Sequence, residues 1–363
     1  MPKFSRDYWW DSGNSMKVKM EPTRFGFGAC LEKKGDDPRL CCLGADISAS
    51  IRMSAFYEKN PERKNRWFSV GIAEQSGTCV AAGLAKEGKI AVFGTYGVFA
   101  AGRALDQLRT TVCYNNYNVK IAGAHGGISV GADGATHQAL EEFFLMCSLP
   151  NMHVVAGADS VETERLTEAC LFDIEGPCYI RFAREATAIV TTRETPLVFG
   201  KANVIRFRKE SENFIDAFET KISGEYKAEG EDIAIISNGP ELAEAMRAAW
   251  ILKEEFGIEA RIINMHTMKP LDSEAIVKAA KECKAILTVE EHQVGGLGNL
   301  VAAEILKANL KKAVAFGMIG INDEFGLSGG PWELLKFFGL SAEHIAEKAK
   351  EMAGGKKSKN GQN

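Results

Sequence analysis

A glycine-rich run at residues 123–138, GAHGGISVGADGATHQ, is the part of the sequence best suited to chemistry. It places His125, Asp133 and His137 among five glycines. Glycine lets the backbone approach a bound molecule closely, and histidine titrates near neutral pH. One such histidine could be an ordinary loop residue, but this combination suits core packing poorly and indicates a reaction site.

A further carboxylate, Glu74, lies in the segment 68–88, which predicts a helix. Ala73, Gly77 and Ala81 are four apart and form a stripe of small residues that another helix could approach closely. Such a contact would desolvate Glu74 unless a hydrogen-bonding partner were present. The alternative is a glutamate that faces solvent on an alanine-rich helix.

Two aromatic residues, Tyr96 and Phe99, lie at a predicted strand-to-helix turn. They could stack on a flat ring, or they could cover an edge of the hydrophobic core. Arg103, Asp106 and Arg109 follow at helical spacing, which fits either surface ion pairs or a subunit contact.

The elements that must position these residues alternate between short apolar runs and helical patterns. This alternation predicts an α/β fold with a parallel sheet, in which ligands bind outside the carboxyl ends of the strands. The predicted strands are residues 40–43, 90–93, 119–124, 153–156 and 178–182. The polar segments expected to converge after them are residues 46–50, 94–99 and 125–137, and Arg184.

A charge-dense stretch without sustained periodicity separates this block from a second small α/β unit. The second unit is predicted to begin with a strand at residues 233–237 and a helix at residues 241–256. The predicted domains are an N-terminal extension (1–19), a first domain (20–193), a linker (194–230), a second domain (231–350) and a polar tail (351–363).

Composition excludes several classes of protein. Of the 363 residues, 45% are hydrophobic and 25% are charged, which is typical of a folded globular chain. The net charge of -4 gives no general attraction to nucleic acid or to an anionic membrane. The nine cysteines show neither a Cys-x-x-Cys pair nor metal-ligand spacing, so we expect no disulfide and no metal site in this chain. Without an apolar signal segment or membrane span, a cytoplasmic location is expected.

Five segments occur in the order and spacing of the pyrimidine-binding domain of transketolase, and the chain resembles that family over about residues 20–350. The segments are FSVGIAEQ, GTYGVFAAGRALDQLR, HGGISVGADGATHQ, SLPNMHVVAGAD and RFAR. VEEHQVGGLGN and FGLSGGPWELL resemble the transketolase C-terminal domain. The resemblance implies two α/β domains, thiamine diphosphate as cofactor, and transfer of a two-carbon ketol unit from a ketose phosphate to an aldose phosphate.

The resemblance also assigns roles around the cofactor. Glu74 matches the glutamate that hydrogen-bonds a ring nitrogen of the aminopyrimidine and thereby activates the cofactor. Tyr96 and Phe99 match the aromatic pair that packs the pyrimidine ring, although the first position is usually Phe in the family. Asp46 matches a carboxylate near the cofactor.

The remaining roles concern the substrate. His125, Asp133 and His137 match residues of the substrate channel, where Asp133 would bind the hydroxyl beside the carbonyl and His137 the carbonyl oxygen. A second set matches the cluster that receives the sugar phosphate, for which a pair of cations is suited. This set is Arg24, Ser50, His125 and Arg184. The other four histidines receive no catalytic role.

One element of the family pattern is missing, since Gly-Asp-Gly, which with a later Asn holds the diphosphate and its divalent metal, occurs nowhere in the chain. The resemblance therefore implies the C-terminal subunit of a split transketolase. A partner N-terminal subunit would carry the Gly-Asp-Gly element and bind the metal, Mg or Ca. The expected assembly contains two copies of each chain and is inactive without the partner.

Three alternatives stay open. Deoxyxylulose-phosphate synthase and the beta subunits of 2-oxoacid dehydrogenases share the glutamate and the architecture. Arg24 and Arg184 favour transketolase over the dehydrogenases, because a 2-oxoacid decarboxylase that acts on a lipoyl arm has no sugar phosphate to hold. The third alternative is a non-catalytic partner subunit that stabilises a related enzyme.

Overall fold

A computed structural model describes residues 18–354, which form fifteen strands and eleven α-helices. Most of the predicted N-terminal extension and most of the polar tail lie outside the described residues. The strands are Met20–Pro22 (β1), Leu40–Gly44 (β2), Trp67–Ser69 (β3), Ile90–Tyr96 (β4), Val119–Ala124 (β5), His153–Ala156 (β6), Cys178–Phe182 (β7), Ala186–Ala188 (β8), Asn203–Phe207 (β9), Phe218–Ile222 (β10), Ile233–Ser237 (β11), Ala260–Asn264 (β12), Thr267–Lys269 (β13), Ala285–Gln293 (β14) and Ala315–Ile321 (β15).

The helices begin and end where local hydrogen bonding favours it. Asp159 precedes one helix and accepts the N–H of Glu162 at 2.9 Å, and another helix ends at Gly257, which has a left-handed φ of 65°. The helices are Thr23–Lys34 (α1), Ala55–Glu58 (α2), Glu74–Lys86 (α3), Leu105–Gln107 (α4), Glu142–Ser148 (α5), Ser160–Phe172 (α6), Glu241–Phe256 (α7), Ser273–Glu282 (α8), Leu297–Lys307 (α9), Pro331–Phe337 (α10) and Ala342–Met352 (α11).

The first domain is built on a sheet with the strand order β13-β6-β7-β5-β4-β2-β3. Every strand pair except β13 with β6 is parallel. The central strands β2, β5 and β7 are buried along their whole length, as expected of short apolar runs covered on both faces. The predicted α/β fold is confirmed, and β5, β6 and β7 have the predicted bounds.

The helix expected over residues 68–88 is shorter than predicted. Residues Trp67–Ser69 form β3 instead, and α3 begins only at Glu74. Ala73 therefore precedes the helix, and the small-residue stripe continues only through Gly77 and Ala81. The physical reason is pairing, because Cys42 and Leu43 of β2 lie beside Trp67 and Phe68 in a parallel ladder.

The second domain contains a mixed sheet with the strand order β10-β9-β12-β11-β14-β15. The predicted linker, residues 194–230, is not a simple connector, since it contributes β9 and β10 to this sheet. The high density of charged residues led to the prediction of a linker, but these charged side chains form ion pairs with one another at the edge of the sheet. Arg208 contacts Glu219 and Glu229, and Arg206 contacts Glu229 as well.

The two domains share structure. β13, from the second half of the chain, adds antiparallel to β6 at the edge of the first sheet. Lys269 of β13 donates to the carbonyl of Cys147 at 3.0 Å, at the end of α5. Ile128 and Leu140 of the first domain belong to the same buried cluster as Trp250 of the second. The domains therefore pack through a continuous apolar core.

Candidate functional site

The candidate site lies where the parallel strands of the first sheet reach their carboxyl ends. Tyr96 is the last residue of β4, His125 follows β5 directly, and Arg184 follows β7 by two residues. Glu74 is the first residue of α3, which packs beside β4. Since neighbouring parallel strands end at one edge of a sheet, residues far apart in sequence meet here.

Glu74 is buried, with 1% of its surface exposed, so the alternative of a glutamate facing solvent is wrong. Its Oε2 accepts from Arg103 Nη1 at 2.8 Å, and its Oε1 accepts from Thr95 Oγ1 at 3.3 Å. The Arg103 guanidinium also lies 4.3 Å from the centre of the Phe99 ring. One of the two interpretations of the sequence gave Arg103 a surface ion pair. Arg103 does form an ion pair, but its partner is the buried candidate catalytic carboxylate.

Tyr96 and Phe99 lie together beside the two histidines of the glycine-rich loop. Both are partly exposed, and their ring centres lie 6.0 Å apart in an edge-to-face arrangement. His137 contacts both rings, at 5.4 Å from Tyr96 and 5.5 Å from Phe99, and His125 lies 5.0 Å from Tyr96. The two aromatic and two histidine rings therefore form one cluster. Phe99 begins a π-helical turn, a local distortion that is frequent at functional sites.

His125 is buried in this cluster and has a left-handed φ of 57°. Burial, with the charges of Arg24 and Arg184, lowers the pKa of His125 to about 3, so its ring is neutral at physiological pH. Arg24 Nη1 lies 3.4 Å from His125 Nε2, and because a guanidinium only donates, Nε2 is the acceptor. The proton is therefore on Nδ1, which is buried and makes no hydrogen bond to a side chain among residues 18–354, whereas the backbone of Ser50 lies close to the ring.

Two arginines lie next to this histidine. Arg24 donates to the carbonyl of Ser50 at 3.0 Å, and Arg184 forms an ion pair with Asp133 at 2.7 Å. Burial and then the charge of Arg184 lower the pKa of Arg24 below its usual value, so the two cations repel each other. Two cations and a buried N–H donor favour an anionic ligand.

Two of the expected site residues are placed differently from the others. Asp46 is exposed just after β2, and among the described residues none of the site contacts above involves it. Ser50 contributes its backbone carbonyl to Arg24, whereas its side chain is exposed. The fold brings the other expected site residues together at this edge of the sheet: Glu74, Tyr96, Phe99, His125, His137, Asp133, Arg24 and Arg184.

The sequence analysis missed a buried network behind the site. Tyr179 donates to Glu142, whose other oxygen lies 2.8 Å from His292 Nε2. Arg181 contacts Glu291 of the second domain. These residues sit inside apolar runs, so hydrophobic patterning concealed them. The paired glutamates of VEEHQ were the one available signal. His292 is buried in a structural position, consistent with its lack of an assigned role.

Two general features of the described residues bear on the function. They contain no group of three or more His, Cys, Asp or Glu side chains arranged to hold a metal ion. Nor does any helix in this part of the chain combine the length and apolar character that crossing a bilayer requires.

Comparison with known proteins gives a consistent match at the level of domains. Residues 22–189 match the family described as the transketolase pyrimidine binding domain, and residues 223–345 match the transketolase C-terminal domain. The chain is 39% identical over 332 residues to a putative transketolase C-terminal section from Methanocaldococcus jannaschii, a match that covers 90% of this chain and 95% of that protein.

Two further matches also extend over nearly the full length of the related chains. A subunit of the apulose-4-phosphate transketolase of Phocaeicola vulgatus is 33% identical, with 88% of this chain and 94% of that protein covered. A solved structure, described as a split gene transketolase, inactive beta4 tetramer, is 36% identical with a TM-score of 0.76. The match covers 93% of this chain and 99% of the chain in that structure.

Proposed function

We propose, from the premise that this chain belongs to the transketolase family, that it is one subunit of a two-chain enzyme that transfers ketol units between sugar phosphates. The observation that carries the proposal is the unbroken series of contacts from a buried carboxylate, Glu74, through Arg103 and four rings to Arg24. Arg184 lies close enough to Arg24 for its charge to lower the pKa of Arg24. One end of this series suits an aminopyrimidine ring and the other suits a phosphate.

The described residues fit the ring half of thiamine diphosphate. Glu74 offers a buried carboxylate oxygen to a ring nitrogen, and Tyr96 and Phe99 offer partly exposed aromatic edges for the ring to pack against. When bound, the cofactor would supply a nucleophilic carbon for reaction with the carbonyl of a ketose. Glu74 would share a proton with the ring nitrogen, while Arg103 and Thr95 hold its carboxylate in place.

The substrate end is built from donors and cations. His125 donates from Nδ1, because its Nε2 already accepts from Arg24. Arg24 and Arg184 bind the phosphate dianion of the sugar. Asp133, released from Arg184 as the phosphate takes its place, accepts the hydroxyl beside the carbonyl. His137 lies against both cofactor-side rings and holds the carbonyl oxygen.

The diphosphate and its divalent metal belong to a partner subunit in this proposal. The chain contains no Gly-Asp-Gly element, and no metal-binding group is present in the part that the structure describes. Support comes from the relatives, which are described as a transketolase C-terminal section, one subunit of a transketolase and a split gene transketolase. The proposed assembly has two copies of each chain.

Reconstitution tests this proposal. The chain is mixed with an N-terminal transketolase subunit that carries Gly-Asp-Gly, together with thiamine diphosphate and Mg²⁺, and ketol transfer from a ketose phosphate to an aldose phosphate is measured. We expect activity from the mixture and none from either chain alone. A mixture that assembles but transfers no ketol unit overturns the proposal. Release of CO₂ from pyruvate would favour a deoxyxylulose-phosphate synthase or 2-oxoacid dehydrogenase role.

A further inference from the structure

The loop that carries His125, Asp133 and His137 is held on one side by the second domain. Ser328 Oγ donates to the carbonyl of Ala132 at 2.6 Å. Gln138 Nε2 donates to Ile128 O at 3.1 Å and to Leu327 O at 2.9 Å, which links both ends of the loop to the same second-domain segment. The loop therefore lies between its own sheet and residues 326–331.

Close packing leaves the loop little room. Gly127 and Gly131 have φ values of 82° and 81°, which favour glycine. A Cβ at Gly127 would lie 2.5 Å from the carboxyl carbon of Glu291, and one at Gly131 would lie 2.8 Å from Pro331. Both neighbours belong to the second domain. The glycines of this loop thus permit contact with the second domain as well as with a ligand.

Glu291 makes the central contact. It lies near the end of β14, is almost fully buried, and uses its two carboxylate oxygens differently. Oε2 accepts the backbone N–H of Ser129 at 3.0 Å, and Oε1 accepts from Arg181. The same nitrogen of Arg181 also donates to the carbonyl of Gly126. One carboxylate therefore holds the loop at two points, directly at Ser129 and through Arg181 at Gly126.

We propose that Glu291, a residue of the second domain, is a positioning residue that fixes the loop bearing His125, Asp133 and His137 in its reactive geometry. Glu291 does not reach the substrate in this role. It acts through the backbone of the loop, whose displacement by about 1 Å is enough to lower a rate by about 100-fold. The kinetic test of this inference rests on the proposed function, because it measures ketol transfer in the reconstituted complex.

The substitution Glu291→Gln tests the role with little change in volume. A glutamine has one acceptor oxygen and one donor nitrogen, so it cannot accept from both Ser129 and Arg181. In the reconstituted complex we expect kcat to fall about tenfold or more, because His137 and Asp133 move with the loop. The affinity for thiamine diphosphate, measured by titration, should be unchanged, since Glu74, Tyr96 and Phe99 lie outside the loop.

Glu290 provides a matched control next to Glu291. It is equally buried and also uses both oxygens on N–H donors, those of Leu297 and Gly298 at 2.8 and 2.9 Å, but it does not contact the loop. Glu290→Gln therefore also replaces a buried acceptor oxygen by an amide nitrogen, but it leaves the contacts of Glu291 with the loop intact. We expect its kcat to stay within about twofold of the wild type. Equal losses in the two variants would overturn the proposal, as would wild-type kinetics in Glu291→Gln.

A second measurement needs no activity and uses the full chain alone. The pKa of His125 is about 3 because the ring is buried beside Arg24 and Arg184, with Asp133, Tyr96 and the Ser50 carbonyl also facing it. If the loop loosens in Glu291→Gln, NMR titration should show the pKa of His125 rising toward 6.5. An unchanged titration would contradict the positioning role of Glu291. A wild-type complex that transfers no ketol unit would instead contradict the proposed function, so the two failures can be told apart.

Discussion

At the scale of single residues, the site depends on two opposite electrostatic environments. Glu74 is a buried carboxylate held by one half-exposed arginine, whereas His125 is a buried neutral ring beside two cations. The first environment keeps an acceptor available for a ring nitrogen, and the second keeps a donor available for an anion or an oxygen. These two residues therefore divide the site into an end for the cofactor and an end for the substrate.

Glu74→Gln tests the cofactor end. The amide retains the shape of the side chain but cannot exchange a proton with a ring nitrogen, so we expect ketol transfer to fall by about 100-fold or more. Initial rates in the reconstituted complex measure the effect. Glu87→Gln, in an exposed residue that follows the same helix, is the control and should retain full activity. Full activity of Glu74→Gln would favour a non-catalytic partner subunit.

Arg24→Gln tests the substrate end. A charge-assisted hydrogen bond to phosphate contributes about 1.5–3 kcal/mol, so we expect the KM for a ketose phosphate to rise about tenfold or more. The KM for the corresponding unphosphorylated ketose should change little, and this comparison is the decisive measurement. Arg39→Gln, in an exposed arginine paired with Asp37, should leave both values unchanged.

At the scale of elements, α6 connects the two domains through buried acids. Glu162 of α6 accepts from the Asn264 side chain of β12 at 2.8 Å and from the N–H of Ala158. Burial, reinforced by the charge of Asp159, raises the pKa of Glu162 to about 8. Burial also raises the pKa of Asp159, which accepts hydrogen bonds from Val190 and Thr191. Protons bound at these acids therefore favour the folded state.

The stability that Glu162 contributes should consequently fall as the pH rises through this range. Between the unfolded pKa of about 4.5 and the folded pKa of about 8, the folded state binds the proton of Glu162 and the unfolded state does not. This contribution to the free energy of unfolding should fall by up to about 1.4 kcal/mol per pH unit. Urea unfolding at pH 5 to 8 measures the difference in slope between the wild type and Glu162→Gln, which isolates Glu162 from His125 and His266, whose lowered pKa values act in the opposite direction. An identical slope in the variant would contradict the assignment to Glu162.

At the scale of the whole molecule, the two domains share a sheet and an apolar core. β13 completes the first sheet although it follows β11 and β12 of the second, and the buried cluster around Trp250 includes Ile128 and Leu140. Unfolding either domain would expose this shared apolar surface to water. The candidate site is formed by the first domain, but its loop is held by both.

Hydrogen exchange should show that the two domains unfold cooperatively. Because neither sheet can open without disrupting the shared core, we expect the slowest amides of β5 and β11 to exchange through openings of the same free energy. Amide exchange followed across a denaturant series provides the measurement. Strongly different opening free energies for these two strands would show that the domains unfold independently.

Patterning alone predicted five of the seven strands of the first sheet, whereas β3 lay inside a predicted helix and β13 was not predicted. Runs such as 119–124 and 178–182 are mainly apolar, interrupted only by Lys120 and Arg181, and therefore predict strands that are covered on both faces. The resemblance to transketolase then assigned roles to Glu74, His137 and Asp133 from local motifs, and these roles stay predictions. Charge density in residues 194–230 predicted a linker wrongly, because a sheet edge can be lined with paired charges.

Only the tertiary structure decided which distant residues share the site and what holds them. The contacts of Glu74 with Arg103, Asp133 with Arg184, and Ser129 with Glu291 join positions 29 to 162 residues apart, and no local periodicity encodes such pairs. They arise because parallel strands end at one edge and because the second domain packs against the loop. Local residue types thus determined the chemistry that is available, and packing between domains determined its geometry.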